Sequence, residues 1–354
     1  MGAYRIVLAG CGGMAEEWGR YALDRKDAQI VGLVDIKEEN AFRYAKKMGL
    51  SCPVFTDVQT AIEKTAANLV FCITIPDAHR DVILAALENN CDVFTEKPLG
   101  ASWEHVRAIC DTAEKTGRSI SVMQNRRFLN GIRALRDVLN SGNIGKVTGL
   151  CADFFLVPLD DYRNSFRAKI THPLLTDMAI HTFDMGRFLL NNARPVSVFC
   201  HEYQPEGSQY LDGAAAACIF TMSDGTVFTY HGNWAAEGFR TGWESQWRVN
   251  GSLGSAIWDG QNKPVFEIPM PENEKNGGFK ADRYKRVVAD YAWTARLSEH
   301  QECIHEMFEA LSAGRNAETD YTDNLYSVAM VFASIKSSEE KRLVLFDEFL
   351  RKEF

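Results

Sequence analysis

The passage that most constrains this chain lies near its start. An apolar, β-forming run from Tyr4 to Ala9 leads into Gly10-Cys11-Gly12-Gly13-Met14-Ala15 and then a helix-like segment from Glu16 to Leu23. A Gly-x-Gly-x-x-Ala turn set between strand and helix permits few folds. Gly10 allows the tight turn, Gly12 lets a pyrophosphate approach the backbone, and Ala15 lets helix and strand pack closely. Gly13 and Met14 complete the loop at a helix amino terminus, whose free N–H groups and positive dipole end suit phosphate. The next strand, Gln29 to Val34, ends in Asp35, 20 residues beyond Ala15. A carboxylate there accepts hydrogen bonds from both ribose hydroxyls of an adenosine and repels a 2′-phosphate. The expected cofactor is therefore NAD, with NADP disfavoured and only Lys37 tempering the preference. A tight βα turn with a solvated strand-end Asp is the structural alternative, and it leaves the register of the two features unexplained.

The pattern then repeats. Glu38 to Met48 reads as a helix, Val54-Phe55 as a brief strand, and a helix runs from Asp57 to about Thr65. The apolar strand Asn68 to Thr74 leads through Ile75-Pro76-Asp77-Ala78-His79 to a helix over Arg80 to Glu88. Strand Asp92 to Thr95, a helix over Trp103 to Lys115 and strand Ser119 to Met123 follow. Six strands alternating with helices predict an α/β Rossmann domain, a doubly wound parallel sheet that binds ligands at the strand carboxyl ends. Gly10, Asp35, Ile75, Lys97 and Gln124 all fall on that rim. Lys97, in Thr95-Glu96-Lys97-Pro98, is the expected chemical centre. The competing reading is that strands leaving a sheet often end in charge and proline for structural reasons alone.

From residue 125 the character changes. A helix over Gly131 to Leu139 and a long β-run from Val147 to Val157 precede a helix over Leu175 to Leu190. Strands then come in series, over Val196 to Tyr203, Ala214 to Met222, Thr226 to Asn233, Glu244 to Val249 and Ser255 to Trp258. Strands in series predict an α+β domain with a mostly antiparallel open sheet. The expected division is 1-124 for the nucleotide domain and 125-354 for a substrate-binding and oligomerisation domain, whose final helix can pack back on the first. Helices are expected over Glu299 to Leu311 and Asp323 to Ile335, with a return strand near Arg342 to Phe346. The polar stretch Pro271 to Lys285 reads as a surface loop or lid.

With 354 residues, two domains are the prior. A net charge of -8 argues against nucleic acid and anionic membrane partners and points to small molecules. The nine cysteines sit mostly in apolar runs, and none has the close spacing of a zinc knuckle or redox dithiol. They read as core residues of a reducing compartment, so the expected location is cytoplasmic. Neither an export signal nor an apolar run of the ~20 residues that span a bilayer is evident.

One helical stretch in the second half carries chemistry. Asp177 and His181 are four apart, with Asp184 three further, so all three are expected on one face of an apolar helix. Burying such groups without partners is costly, which favours a cleft over a core. A packing His capped by Asp, or a solvated face, stands beside it as the structural reading.

Taken together, these residues resemble the Gfo/Idh/MocA oxidoreductases, the glucose-fructose oxidoreductase and inositol dehydrogenase family, over nearly the whole chain. The resemblance rests on Gly10 to Ala15, Asp35, the Pro76 to His79 turn, Glu96-Lys97-Pro98, Asn125-Arg126-Arg127-Phe128, and Asp177 with His181. It implies Lys97, Asp177 and His181 as the catalytic group beside the nicotinamide. Ile75, Pro76, His79 and Glu96 join the glycine-rich loop, Asp35 and Lys97 as cofactor-binding residues. A homodimer or homotetramer is also implied, formed through the outer face of the second-domain sheet. The chain departs from the family at Ala179, at Ile75-Pro76-Asp77 and at Thr171-His172-Pro173, and the last two alter the substrate wall. The implied activity is NAD-dependent oxidation of a secondary hydroxyl in a sugar, sugar derivative or cyclic polyol. In that reaction His181 withdraws the proton, Lys97 holds the developing alkoxide, Asp177 orients His181 or binds a neighbouring hydroxyl, and no metal is required. The alternatives are an NAD-retaining glycoside-cleaving enzyme and a non-catalytic dinucleotide sensor. His79 can equally be a structural helix-start residue. His172 is a candidate for the cleft wall, Arg126 and Arg127 for the domain junction or the substrate, and either Tyr162 with Arg163 or Trp234 with Arg240 for sugar contacts.

Overall fold

The computed structural model describes residues 4–157, 167, 169–270 and 283–353. The chain divides into two compact units. The first runs to Asn125 and takes in Arg296–Val328, and the second comprises Arg126–Ala295 with Ala329–Lys352.

In the first unit the strands are β1 (Tyr4–Ala9), β2 (Ala28–Val34), β3 (Val54–Phe55), β4 (Leu69–Cys72), β5 (Asp92–Thr95) and β6 (Ile120–Val122). They alternate with helices α1 (Ala15–Asp24), α2 (Glu38–Met48), α3 (Val58–Thr65), α4 (Pro76–Glu88) and α5 (Trp103–Thr116). The sheet is parallel, in the order β3-β2-β1-β4-β5-β6. The winding direction reverses between β1 and β4, which makes their carboxyl ends the topological switch point. Every residue of β4 is buried, as a central strand covered on both faces requires. On α1, Ala15, Trp18, Gly19 and Ala22 form the buried stripe. A Cβ on Gly19 would stand 1.8 Å from the Tyr44 hydroxyl, which instead donates to Ala15 O at 2.8 Å and clamps α2 on α1. Helix α4 starts earlier than the sequence suggests, with Pro76 in its first turn after Ile75 as cap, so His79 lies inside it.

Helix α8 (Glu299–Ser312) corrects the expected division at 124, because it belongs to the first unit. Its Phe308 is fully buried among Tyr4, Tyr21, Phe71 and Phe94, at centroid distances of 5.1, 5.9, 6.1 and 5.1 Å. The apolar period of α8 shows that one face is buried but not which sheet receives it.

The second unit is built on a nine-stranded sheet. Its strands are β7 (Val147–Phe155), β8 (Pro195–Tyr203), β9 (Ala215–Met222), β10 (Val227–Asn233), β11 (Gln246–Gly251), β12 (Ser255–Trp258), β13 (Val265–Pro269), β14 (Tyr284–Val288) and β15 (Val344–Leu345). Their order is β14-β13-β12-β11-β7-β10-β9-β8-β15, antiparallel except for the β7–β10 pair. One face packs on α7 (Ile180–Leu189), all of whose residues are buried. Phe183 meets Phe220 at 4.9 Å and Tyr230 at 5.2 Å, and a Cβ on Gly186 would fall 2.6 Å from the Phe228 ring. The other face leaves Val196, Phe199, Ile219, Val227 and Ile257 exposed. The remaining α-helices among the described residues are α6 (Asn130–Asn140), α9 (Tyr321–Glu340) and α10 (Phe346–Glu353).

Two readings of this half change. The continuous helix expected over Leu175 to Leu190 is a π turn, Leu174–Ala179, followed by α7. Strands β13 and β14 extend the sheet beyond the expected series. Tyr284 and Lys285 of the expected polar loop begin β14, while Pro271 to Asp282 lie outside the described residues.

Candidate functional site

At the switch point Gly10 has φ +95, and a Cβ there would stand 2.4 Å from Ile73 O, so the approach of the β1 turn to the end of β4 requires glycine. Gly12 and Gly13 differ. A Cβ on either would meet nothing within 4 Å, so protein packing does not demand their bareness. What they leave is an open cradle in front of Ala15 and the first turn of α1. No side chain caps that helix, and Met14 is exposed. These residues fit a dinucleotide pyrophosphate.

Asp35 is held from three sides. Its Oδ2 accepts from Cys11 N at 3.0 Å, and its Oδ1 from Lys37 N at 2.9 Å and Asn40 Nδ2 at 3.1 Å. A carboxylate offers about four acceptor positions, so one is left for a ribose hydroxyl. Burial, with the Asp35 charge second, pushes the Cys11 thiol up to about 12, so the loop brings no second anion to the ribose position.

Farther along the rim, Ile75 is exposed and Glu96 and Lys97 are half-buried at the end of β5. The Lys97–Pro98 peptide bond is cis. Glu96 Oε1 accepts from Trp18 Nε1 at 2.8 Å, which ties this segment to the fully buried face of α1. His79, expected either among the cofactor-binding residues or as a structural residue at the helix start, is buried inside α4. It is 0% exposed, with Nδ1 2.8 Å from Pro98 O and Nε2 3.1 Å from Thr74 O. Burial lowers its pKa, although both carbonyls favour a second proton. It braces the ends of β4 and of the Lys97-Pro98 segment from behind.

Residues remote in sequence complete this half. His300, in the first turn of α8, stands 3.4 Å from Asn125 Nδ2 and 3.5 Å from Glu299 Oε1. Burial acts to lower its pKa, but Glu299, Glu96 and Glu17 outweigh it and hold it raised. No sequence signal marks His300 or Trp18, since each is brought in by helix packing.

In the second unit, Asp177 lies in the π turn and His181 in the first turn of α7, and both are buried. Asp177 Oδ2 accepts from Arg167 Nε at 2.7 Å. A π turn inserts an extra residue into a helix and is frequent at functional sites. Asp184 is not part of this group. Arg127 Nε and Nη2 each reach its carboxylate at 2.6 Å, and this pair is a structural feature of the core. Arg126 donates to Trp243 O. Trp234 is 1% exposed and stacks on Tyr210 at 4.8 Å, so it is core and offers no face to a sugar. Arg240 is exposed. His172 is turned to Glu202. Tyr162 and Arg163 lie outside the described residues. Among the described residues no group of three His, Cys, Asp or Glu side chains could hold a metal, and no helix is long and apolar enough to cross a membrane.

Comparison with known proteins agrees with this geometry. Residues 4–124 match the oxidoreductase family with an NAD-binding Rossmann fold, and residues 132–257 match the GFO/IDH/MocA C-terminal domain. An inositol 2-dehydrogenase of Rhizobium meliloti (strain 1021) is 25% identical over 348 residues, covering 96% of this chain and 98% of its own. The crystal structure of a putative myo-inositol dehydrogenase from Sinorhizobium meliloti 1021 superposes with a TM-score of 0.72 at 26% identity, covering 97% of this chain and 99% of that one. An Agrobacterium radiobacter oxidoreductase, crystallised with NAD+, L-tartaric acid and magnesium, shares the fold at a TM-score of 0.83 and 19% identity, covering 98% of this chain and 99% of that one. The open glycine cradle, the fixed Asp35 and these matches lead to one conclusion: the chain belongs to the Gfo/Idh/MocA oxidoreductases, with NAD as the cofactor of its Rossmann unit.

Proposed function

We propose that the protein is an NAD-dependent dehydrogenase that oxidises a secondary hydroxyl of a sugar, sugar derivative or cyclic polyol, with Lys97, Asp177 and His181 as its catalytic group. The observation that carries the reading is the placement of Lys97, half-buried at the carboxyl end of β5 beside the switch point. Inositol 2-dehydrogenase as a relative matched across both units supports the polyol class.

The bound nicotinamide supplies the hydride acceptor. The residues of the chain do the rest. Gly12 and Gly13 give the pyrophosphate room, and Asp35 takes the adenosine ribose. The Lys97 ammonium holds the substrate oxygen and favours the alkoxide-like transition state. His181 accepts the hydroxyl proton, since imidazole ordinarily titrates near neutrality. Asp177, fixed by Arg167, orients the imidazole or a neighbouring hydroxyl. Glu96, fixed by Trp18, keeps the lysine segment in place.

The protein is further proposed to work in the cytoplasm as a homodimer or homotetramer, paired through the exposed Val196, Phe199 and Ile219 face. The deciding experiment is a screen of cyclic polyols, aldoses and glycosides with NAD or NADP, read as NADH or NADPH formation. Reduction of NAD by a polyol or sugar is the expected result. Glycoside cleavage without net NADH, or no hydride transfer with any substrate, would overturn the assignment.

A further inference from the structure

In the second unit two carboxylates meet the His172 imidazole and a third meets the backbone N–H of the same residue. His172 has φ +53, a left-handed backbone that a residue with a Cβ adopts only when its surroundings hold it there. Its imidazole and its backbone N–H together supply that hold. Nδ1 lies 2.5 Å from Glu202 Oε2 on β8, Nε2 lies 3.7 Å from Glu339 Oε1 on α9, and His172 N donates to Asp212 Oδ1 at 3.0 Å. The remaining Glu202 oxygen, Oε1, is buried and has no hydrogen-bond partner among the described residues, so the carboxylate depends on the imidazole. The close approach is allowed by Gly213, where a Cβ would stand 2.5 Å from Glu202 Oε1 and 2.9 Å from His172 Cα.

The same residue begins the segment that carries Asp177. His172 O accepts from Thr176 N at 2.9 Å and from Thr176 Oγ1 at 2.8 Å, and Leu174 N donates to Gly213 O at 3.3 Å. The entry to the π turn is thus tied through one side chain to β8 and α9.

We propose that His172 is a positioning residue, whose ion pair with Glu202 fixes the start of the π turn and thereby the placement of Asp177 and His181. The inference rests on the reading that those two serve the reaction. The charged groups facing the imidazole are Glu202 from β8, Glu339 from α9 and Asp212 from the loop before β9. The Glu202 hydrogen bond, opposed by burial and aided by all three charges, raises the His172 pKa. The clamp is therefore fully present below the ordinary imidazole value of about 6.5 and is lost as pH rises through the raised folded value.

The test is hydrogen exchange over residues 174–189, corrected for intrinsic rates and followed against pH, in the wild type, His172→Gly and Glu202→Gln. Glycine suits φ +53, so His172→Gly retains the fold. Both variants should exchange several-fold faster than the wild type at acid pH and lose its pH dependence, while peptides of the first unit and NAD affinity stay unchanged. In the active enzyme His172→Gly should lower kcat by roughly tenfold to a hundredfold, with little change in KM for NAD. Wild-type protection and pH dependence in His172→Gly would overturn the proposal even in an active enzyme. If no preparation turns over substrate, the dehydrogenase reading fails, and exchange still decides the clamp.

Discussion

Arg127 and Asp184 form a two-pronged ion pair in the core of the second unit, with both contacts at 2.6 Å and side-chain exposures of 0% and 2%. Removing one partner strands a buried charge. Asp184→Ala should therefore destabilise the protein by about 3–5 kcal/mol, whereas replacing both residues by apolar ones of similar volume should cost far less. Denaturant unfolding of the single and double variants checks the difference, and equal losses in both would disprove it.

Lys97→Ala tests the role of the ammonium. The expected outcome is a fall in kcat of roughly 10²–10³ with NAD affinity nearly unchanged, because charge is withdrawn only from the developing oxyanion. Steady-state kinetics alongside NAD titration by fluorescence separates the two quantities. A loss confined to NAD binding would move Lys97 out of the catalytic group.

His79→Ala tests the brace behind the rim. Without the imidazole, whichever of Thr74 O and Pro98 O accepts its N–H is left buried and unpaired, at a cost of about 1–3 kcal/mol. Turnover should fall further than stability alone explains, because the Lys97-Pro98 segment loses its rear support. His79→Gln, which restores one donor, should recover part of both losses; Tm and kcat measured on each variant decide this.

Asp35→Ser removes the charge proposed to face the ribose. The ratio of NADP to NAD use should rise by about tenfold, equivalent to ~1.4 kcal/mol. Measuring kcat/KM for both cofactors checks it, and an unchanged ratio would show that Asp35 serves only the Cys11, Lys37 and Asn40 contacts.

The open face of the second-unit sheet is tested by charge. Phe199 and Ile219 are cross-strand neighbours on β8 and β9, and both are exposed. Phe199→Lys with Ile219→Lys should convert the proposed oligomer to monomer in sedimentation velocity without loss of secondary structure. A wild-type protein that already sediments as a monomer would contradict the proposed pairing.

The residues themselves determined much of this protein. The run Tyr4 to Ala9, the glycine turn, α1 and Asp35 were legible because each depends on near neighbours. Apolar alternation sets a strand, a missing Cβ permits a turn, and a spacing along the chain places a carboxylate at a strand end. The parallel sheet followed for the same reason, as did the rim positions of Lys97 and Ile75. Only the tertiary structure decided what those groups touch. Phe308 draws α8 into the first unit, Trp18 reaches Glu96, and His300 meets Asn125 across 175 residues of sequence. Arg127 took Asp184 out of the expected stripe and into the core, His79 took the buried place between Thr74 and Pro98, and a π turn replaced the regular helix before His181. Such pairings are chosen by shape and charge between surfaces that meet only once the chain has folded, and no local period encodes the partner.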